Sequence, residues 1–225
     1  MDKTIRDIEV LEDQSESRGP KDGFLKLSRL VIRNLYSDGS RSEPYACDIV
    51  SRRFVDAVTI LLYQHMGEGR IRVGLRENLR APVFLRRRNP EVLFPDDPPH
   101  ATLLETVAGV LEDSDADADR ESALRKRAAL ECREEVGIDV ALSDIEDLGA
   151  ASFPTPGIGD EKVYFKAVAC DLDLAQTPTG DGSVMEELGG LVILDLPEAL
   201  DACRAGRIAD MKTEIALTRL RDQLL

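Results

Sequence analysis

Tryptophan is absent and histidine nearly so, since the chain holds only His65 and His100. A histidine-rich metal site or a mechanism built on paired histidines is excluded, and any acid–base or metal chemistry must come from carboxylates. Cysteine is sparse as well. Cys47, Cys132, Cys170 and Cys203 lie far apart and form no Cys-x-x-Cys pair, which suits ordinary thiols in a reducing compartment better than a disulfide or zinc framework. No apolar run approaches the ~20 residues that span a bilayer, and residues Met1 to Val10 lack the apolar stretch of a signal peptide. These absences predict a soluble, cytoplasmic protein with no membrane partner. Basic residues are in deficit. Lys and Arg number 29 against 43 Asp and Glu, a net charge of −14, and that balance repels a phosphate backbone, so nucleic acid is not an expected partner.

What is present is enough for one principal domain. The 225 residues are 43% hydrophobic, sufficient to bury a core and too few for three domains. Residues 1–22 are polar and charged without a sustained period, which reads as a tail with no core of its own. From Phe24 the pattern changes to short β-prone runs: residues 25–35, a turn at Ser37-Asp38-Gly39, then residues 45–54. They form an antiparallel unit of two or three strands spanning residues 23–54, too small to be stable alone and therefore packed on the rest of the chain or on a second subunit. Residues 57–63 and 71–79 flank Gly67-Glu68-Gly69 as a hairpin of buried strands, and Pro82, Pro90, Pro95, Pro98 and Pro99 mark a loop-rich stretch. Arg120 to Val136 has the Ala, Leu, Glu and Arg content of a helix about four turns long, and Gly137 stops it. Strands at 162–170 and 190–196 and helices at 197–206 and 211–224 complete residues 55–225. The order predicts an α+β fold rather than a doubly wound parallel sheet.

The segment Leu130-Glu131-Cys132-Arg133-Glu134-Glu135-Val136-Gly137-Ile138 carries the chemistry. Glu131, Glu134 and Glu135 stand at i, i+3 and i+4, so they share one helix face within a turn. Like charges at that spacing cost a few tenths of a kcal/mol per pair, so removing one is expected to leave folding unharmed. Oxygen donors without His or Cys suit a hard ion such as Mg²⁺ or Mn²⁺; a plain solvated acidic face is the alternative. Cys132 reads as core packing on the inner face. The acidic run Asp113 to Asp119 has calcium-loop spacing but no glycine or distal glutamate, so it reads as a solvated loop.

Gly109-Val110-Leu111-Glu112 followed by Glu131 to Ile138 resembles the Nudix box, a loop-helix-loop motif ending in Arg-Glu-U-x-Glu-Glu-x-Gly-U, where U is apolar. Leu104-Glu105-Thr106-Val107-Ala108-Gly109 is similar to the entry segment of the ADP-ribose and nucleoside-diphosphate-sugar pyrophosphatases of that superfamily. Arg76 to Arg80, Pro156 to Glu161 and Gly206 to Thr213 resemble further segments of the same group, so the likeness runs from about residue 24 to the end. It departs at Leu130, where the box has arginine, and at the lengthened spacer Asp113 to Asp119, which leaves Glu121 only loosely matched to the motif's first glutamate. Arg127, one turn earlier, is the candidate substitute for the missing arginine.

The resemblance implies a Nudix fold, a mixed sheet between helices, and hydrolysis of the pyrophosphate of ADP-ribose or a related nucleoside-diphosphate sugar. It implies that Glu131, Glu135 and the Ala108 carbonyl hold Mg²⁺, with Mn²⁺ as an alternative, and that Glu134 and Arg127 complete the catalytic electrostatics. Glu187, or else Glu186, matches the general base or a further metal ligand. Arg80, Glu105 and Glu161, beside Asp160, match substrate contacts. The group's N-terminal strands pack across a two-fold axis, which implies a homodimer. Two alternatives remain: a catalytically weakened ligand-sensing or scaffold protein of the same fold, and a dinucleoside polyphosphate hydrolase.

Overall fold

A computed structural model describes residues 24–38, 40–176 and 190–224. The polar segment 1–22 therefore lies outside the described residues, as do Glu186 and Glu187. The spine of the fold is β3 (Ala57–His65), whose almost unbroken apolar run is explained by burial on both faces. Successive side chains alternate between two cores. Ala57, Leu61 and Tyr63 enter one, and Val58, Ile60 and Leu62 the other.

The chain around β3 comprises β4 (Ile71–Asn78), α1 (Ala81–Arg86), β5 (Leu103–Glu105), β6 (Val107–Val110), α2 (Arg120–Val136), β7 (Ile145–Asp147), β8 (Val163–Ala169), β9 (Leu191–Asp195), α3 (Leu196–Arg204) and α4 (Met211–Leu224). Seven strands make one mixed sheet ordered β5-β4-β3-β8-β7, with β6 also on β3 and β9 also on β4. The β3–β8 pair is parallel and the other pairs are antiparallel. One edge of β3 is divided: Leu62–His65 pair with β4, and Ala57–Ile60 pair with β6. Helix α2 covers one face through Leu124, Ala128, Cys132 and Val136, and α3 and α4 cover the other through Leu200, Cys203, Leu217 and Leu220. The protein is thus α+β with helices on both faces of a mixed sheet.

Helix α2 has the bounds its composition predicts. Asp119 caps it by accepting from the Ser122 amide at 3.1 Å, and Gly137 ends it at φ +68°, in the left-handed region. Residues 103–110 supply two further strands, which three- and four-residue runs are too short to announce by any period. The proline-rich stretch opens with a single short helix, α1, whose Pro82 falls in the first turn, where a missing N–H costs nothing.

The N-terminal unit is β1 (Leu25–Ile32) paired antiparallel with β2 (Tyr45–Arg52), a two-stranded sheet separate from the main one. The strand β1 ends at Ile32, three residues short of the expected run. The unit touches the body where the Val50 amide donates to the Ile158 carbonyl at 2.7 Å and Ser51 Oγ donates to Asp160 at 2.9 Å.

Candidate active site

Several elements converge on a cavity of about 350 Å³. Arg52 at the end of β2, Arg80 before α1, Ala108 and Gly109 on β6, Glu161 before β8, and Asp210 and Lys212 at the start of α4 all line it. Three of the residues singled out in the sequence, Arg80, Ala108 and Glu161, therefore share one wall-to-wall space. Arg52 and Lys212 were not singled out. Lys212 sits inside the quoted segment 206–213, whereas nothing local marks Arg52, which arrives from the separate hairpin and donates to Glu161 at 2.6 Å.

Behind the cavity lies a buried carboxylate. Glu105 is 4% exposed and does not line the space. It accepts from Arg80 at 2.6 Å and from Asn78 at 3.0 Å, and Lys212 Nζ lies 3.3 Å away. In this position Glu105 holds two cations, Arg80 and Lys212, at the cavity wall. Burial pushes its carboxyl up, but the hydrogen bonds from Arg80, the charges of Lys212 and Arg80, and Asn78 outweigh it and hold the group below the ordinary 4.5. A carboxyl with a depressed folded value stabilises the fold above the ordinary value and loses that contribution as pH falls through the folded one. Glu105→Gln is accordingly expected to cost about 2 kcal/mol at pH 7, less than for a fully buried pair because Arg80 is partly exposed. Thermal unfolding across pH tests this, since the gap between the two proteins should close below pH 4.5. A gap that persists into acid would show that the charge is not what Glu105 contributes.

A buried hydroxyl chain fixes the start of α4. Asp210 accepts from the Thr213 amide at 3.0 Å in N-cap fashion and from Thr213 Oγ1 at 2.5 Å. Thr213 Oγ1 in turn accepts from the Thr106 amide at 2.8 Å, and Thr106 meets Thr59 of β3 at 2.6 Å. Lys212 and Asp210 thus reach the cavity from a helix terminus pinned to the sheet.

Against β6 the α2 carboxylates come into play. A Cβ built on Gly109 would lie 1.8 Å from Glu131 Oε1, so the Glu131 carboxylate rests on the strand backbone beside Ala108. Only glycine leaves that room. Arg127, Glu131 and Glu135 form one i, i+4, i+8 ridge on the inner side of α2. Arg127 lies 3.7 Å from Glu131 and pairs more tightly with Asp115 at 2.9 Å and Glu112 at 3.1 Å. Burial alone would depress the Arg127 guanidinium's value, but Asp115 and Glu112 more than offset that and raise it. Leu130, at the position of the box arginine, instead points outward and is 36% exposed.

The surroundings of these carboxylates differ from the expectation in one respect and add to it in another. The acidic run is not wholly a solvated loop, because Asp113–Asp115 forms a turn of 3-10 helix and the Asp115 carboxylate is only 11% exposed under Arg127. A buried arginine also bears on the expectation that losing one α2 carboxylate leaves folding unharmed. Arg76 is 1% exposed, its Nε lies 3.8 Å from Glu135 Oε2, and its guanidinium donates to the Glu135 carbonyl oxygen. Sequence spacing shows the repulsion between glutamates but not the arginine that β4 brings beneath them.

Glu134 is half-buried and does not line the cavity. Glu121 is engaged away from the site, accepting from Lys166 at 2.6 Å and from Arg125 at 2.8 Å. Among the described residues no three His, Cys, Asp or Glu side chains form a ready-made ion site. The donors still suit a hard divalent cation: two carboxylates one turn apart, one of them in a cradle against β6 that a side chain on Gly109 would fill. Neither a scan against protein-family models nor a search of curated proteins returned a match.

Proposed function

We propose that the chain has a Nudix fold and is a metal-dependent hydrolase that cleaves the pyrophosphate of ADP-ribose or a related nucleoside-diphosphate sugar to a nucleoside monophosphate and a sugar phosphate. The observation that carries this reading is the seating of Glu131 against Gly109, beside a cavity walled by Arg52, Arg80 and Lys212. Glu131, Glu135 and the Ala108 carbonyl would hold Mg²⁺, or Mn²⁺ in its place. When bound, the metal neutralises pyrophosphate oxygens and acidifies the attacking water. The residues of the chain do the rest. Arg80 and Lys212, fixed by Glu105, present positive charge to the diphosphate, and Arg52 with Glu161 closes the side nearer β2. Arg127 orients Glu131, the part the motif gives to arginine at position 130. Either Glu187 or Glu186 supplies the base.

One observation favours a second reading, a ligand-sensing module of the same fold with weak turnover. Arg76 and Arg127 already lie within 4 Å of Glu135 and Glu131 and supply positive charge there. Release of AMP from ADP-ribose, or of nucleoside monophosphate from a panel of nucleotide sugars, with and without Mg²⁺ separates the two. Metal-dependent release supports the hydrolase, saturable binding without release supports the sensor, and the absence of both release and binding overturns both readings.

Gly109→Ala probes the cradle directly. The added methyl displaces the Glu131 carboxylate rather than the backbone, so turnover is expected to fall about a hundredfold, the penalty of a misplacement near 1 Å. The melting temperature should also fall, because the added methyl meets Glu131 as far back as its Cγ, at 2.5 Å, and the side chain is only 13% exposed. Unchanged kinetics in Gly109→Ala would mean that Glu131 does not act from that cradle.

A further inference from the structure

A second cavity lies elsewhere in the molecule. It has a volume of about 910 Å³ and sits where the start of β4, the end of β9, α3 and the C-terminal end of α4 meet. Its floor is apolar, formed by Ile71, Leu196 and Leu200, all buried, and Leu224 stands at its rim. Cavities of about 300 to 1,000 Å³ with an apolar floor and a few polar groups are of ligand size.

The rim carries the specificity. Arg70, Arg204, Arg207 and Arg221 line the space alongside Asp195, Glu198 and Asp201. Arg204 is committed to Asp201 at 2.6 Å and Arg221 to Asp222 at 2.7 Å. Among the described residues the side chains of Arg70 and Arg207 have no ion pair or hydrogen bond, and both are exposed. His65 stands beside them with its ring edge-on to Tyr63 at 5.4 Å between centroids.

From this arrangement we infer that the cavity is a second binding site, for a small amphipathic anion whose apolar body lies on Ile71, Leu196 and Leu200 and whose carboxylate, sulfonate or phosphate head meets Arg70 and Arg207. A guanidinium fork suits such a planar or tetrahedral oxyanion. The site is separate from the candidate active site, and the inference does not rest on the proposed reaction. The two are nevertheless close in the chain: Arg207 lines this cavity and Asp210, three residues on, lines the other, with Ile208 buried between them.

The probe is 1-anilinonaphthalene-8-sulfonate, an amphipathic anion, titrated into the full-length protein by fluorescence and calorimetry, with laurate and dodecyl phosphate as competitors. One dye per chain is expected, displaced by both competitors if any oxyanion serves and by dodecyl phosphate alone if the head must be a phosphate. Arg70→Glu combined with Arg207→Glu should weaken binding about tenfold or more, the loss of a charge-assisted hydrogen bond. Leu224→Glu, which places a carboxylate at the rim, should weaken it similarly. Circular dichroism confirms that each surface variant remains folded. Absence of saturable binding overturns the inference, and so does binding that neither variant alters, which would place the dye elsewhere.

Discussion

Replacing Glu135 by glutamine is expected to lower the metal-dependent rate about a hundredfold or more, because under the proposed reading this carboxylate both holds the ion and faces the charge that gathers in the transition state. The same change should also cost stability. Arg76 is 1% exposed and meets Glu135 from beneath, and removing one partner of a buried pair costs about 3 kcal/mol, since it strands a charge in a low dielectric. Relief of the repulsion from Glu131, a few tenths of a kcal/mol, is an order of magnitude smaller and does not reverse the sign. The two effects separate by experiment. Turnover measured well below the melting temperature reports the chemistry, and Mg²⁺ affinity by calorimetry reports the ligand role. Arg76→Met alone should lower stability while leaving a metal ligand in place. Near-normal turnover in folded Glu135→Gln protein would remove Glu135 from the metal assignment.

The contrast between Glu135 and Glu131 shows what the sequence could and could not disclose. The helix 120–136 was legible to the residue, because its composition and its Gly137 stop are local signals. The strand β3 was legible from its apolar run, and helices on both faces of the sheet explain why that run does not alternate. The short strands β5 and β6 were not, yet they decide the site. It is β6, paired with the first half of β3, that carries Gly109 under Glu131, and β5 that buries Glu105 beneath Arg80. Pairings made across the sheet also deliver Arg76 to Glu135, and a contact between separate units delivers Arg52 to Glu161. Spacing along a helix predicts which side chains are neighbours on that helix. It says nothing about which cation another strand will place below them, and so the charge balance of the site was the part that stayed hidden.

The N-terminal hairpin leads to the second large effect. Two strands cannot bury two faces, and β1 and β2 form their own sheet instead of extending the main one. Phe24, Val31 and Leu35 are each more than 70% exposed, and Leu30 and Tyr45 remain exposed on the opposite face from Val31. An apolar surface of that kind beside a two-stranded edge is stabilised by pairing with a second copy, and an isologous contact covers both hairpins at once. The full-length protein is therefore expected to scatter light as a homodimer of about twice 24.8 kDa. Leu30→Glu with Val31→Glu should give a monomer, because whichever face of the hairpin the pairing covers then carries a charge that it would desolvate. Activity should fall in that monomer, since the same hairpin delivers Arg52 to the cavity and holds it there through Glu161. Deletion of residues 1–54 should be more severe, removing Arg52 outright along with the Val50 and Ser51 contacts to Ile158 and Asp160. A mass of one chain for the unaltered protein would refute the pairing, and a fully active monomeric double variant would show that the hairpin positions Arg52 without a partner.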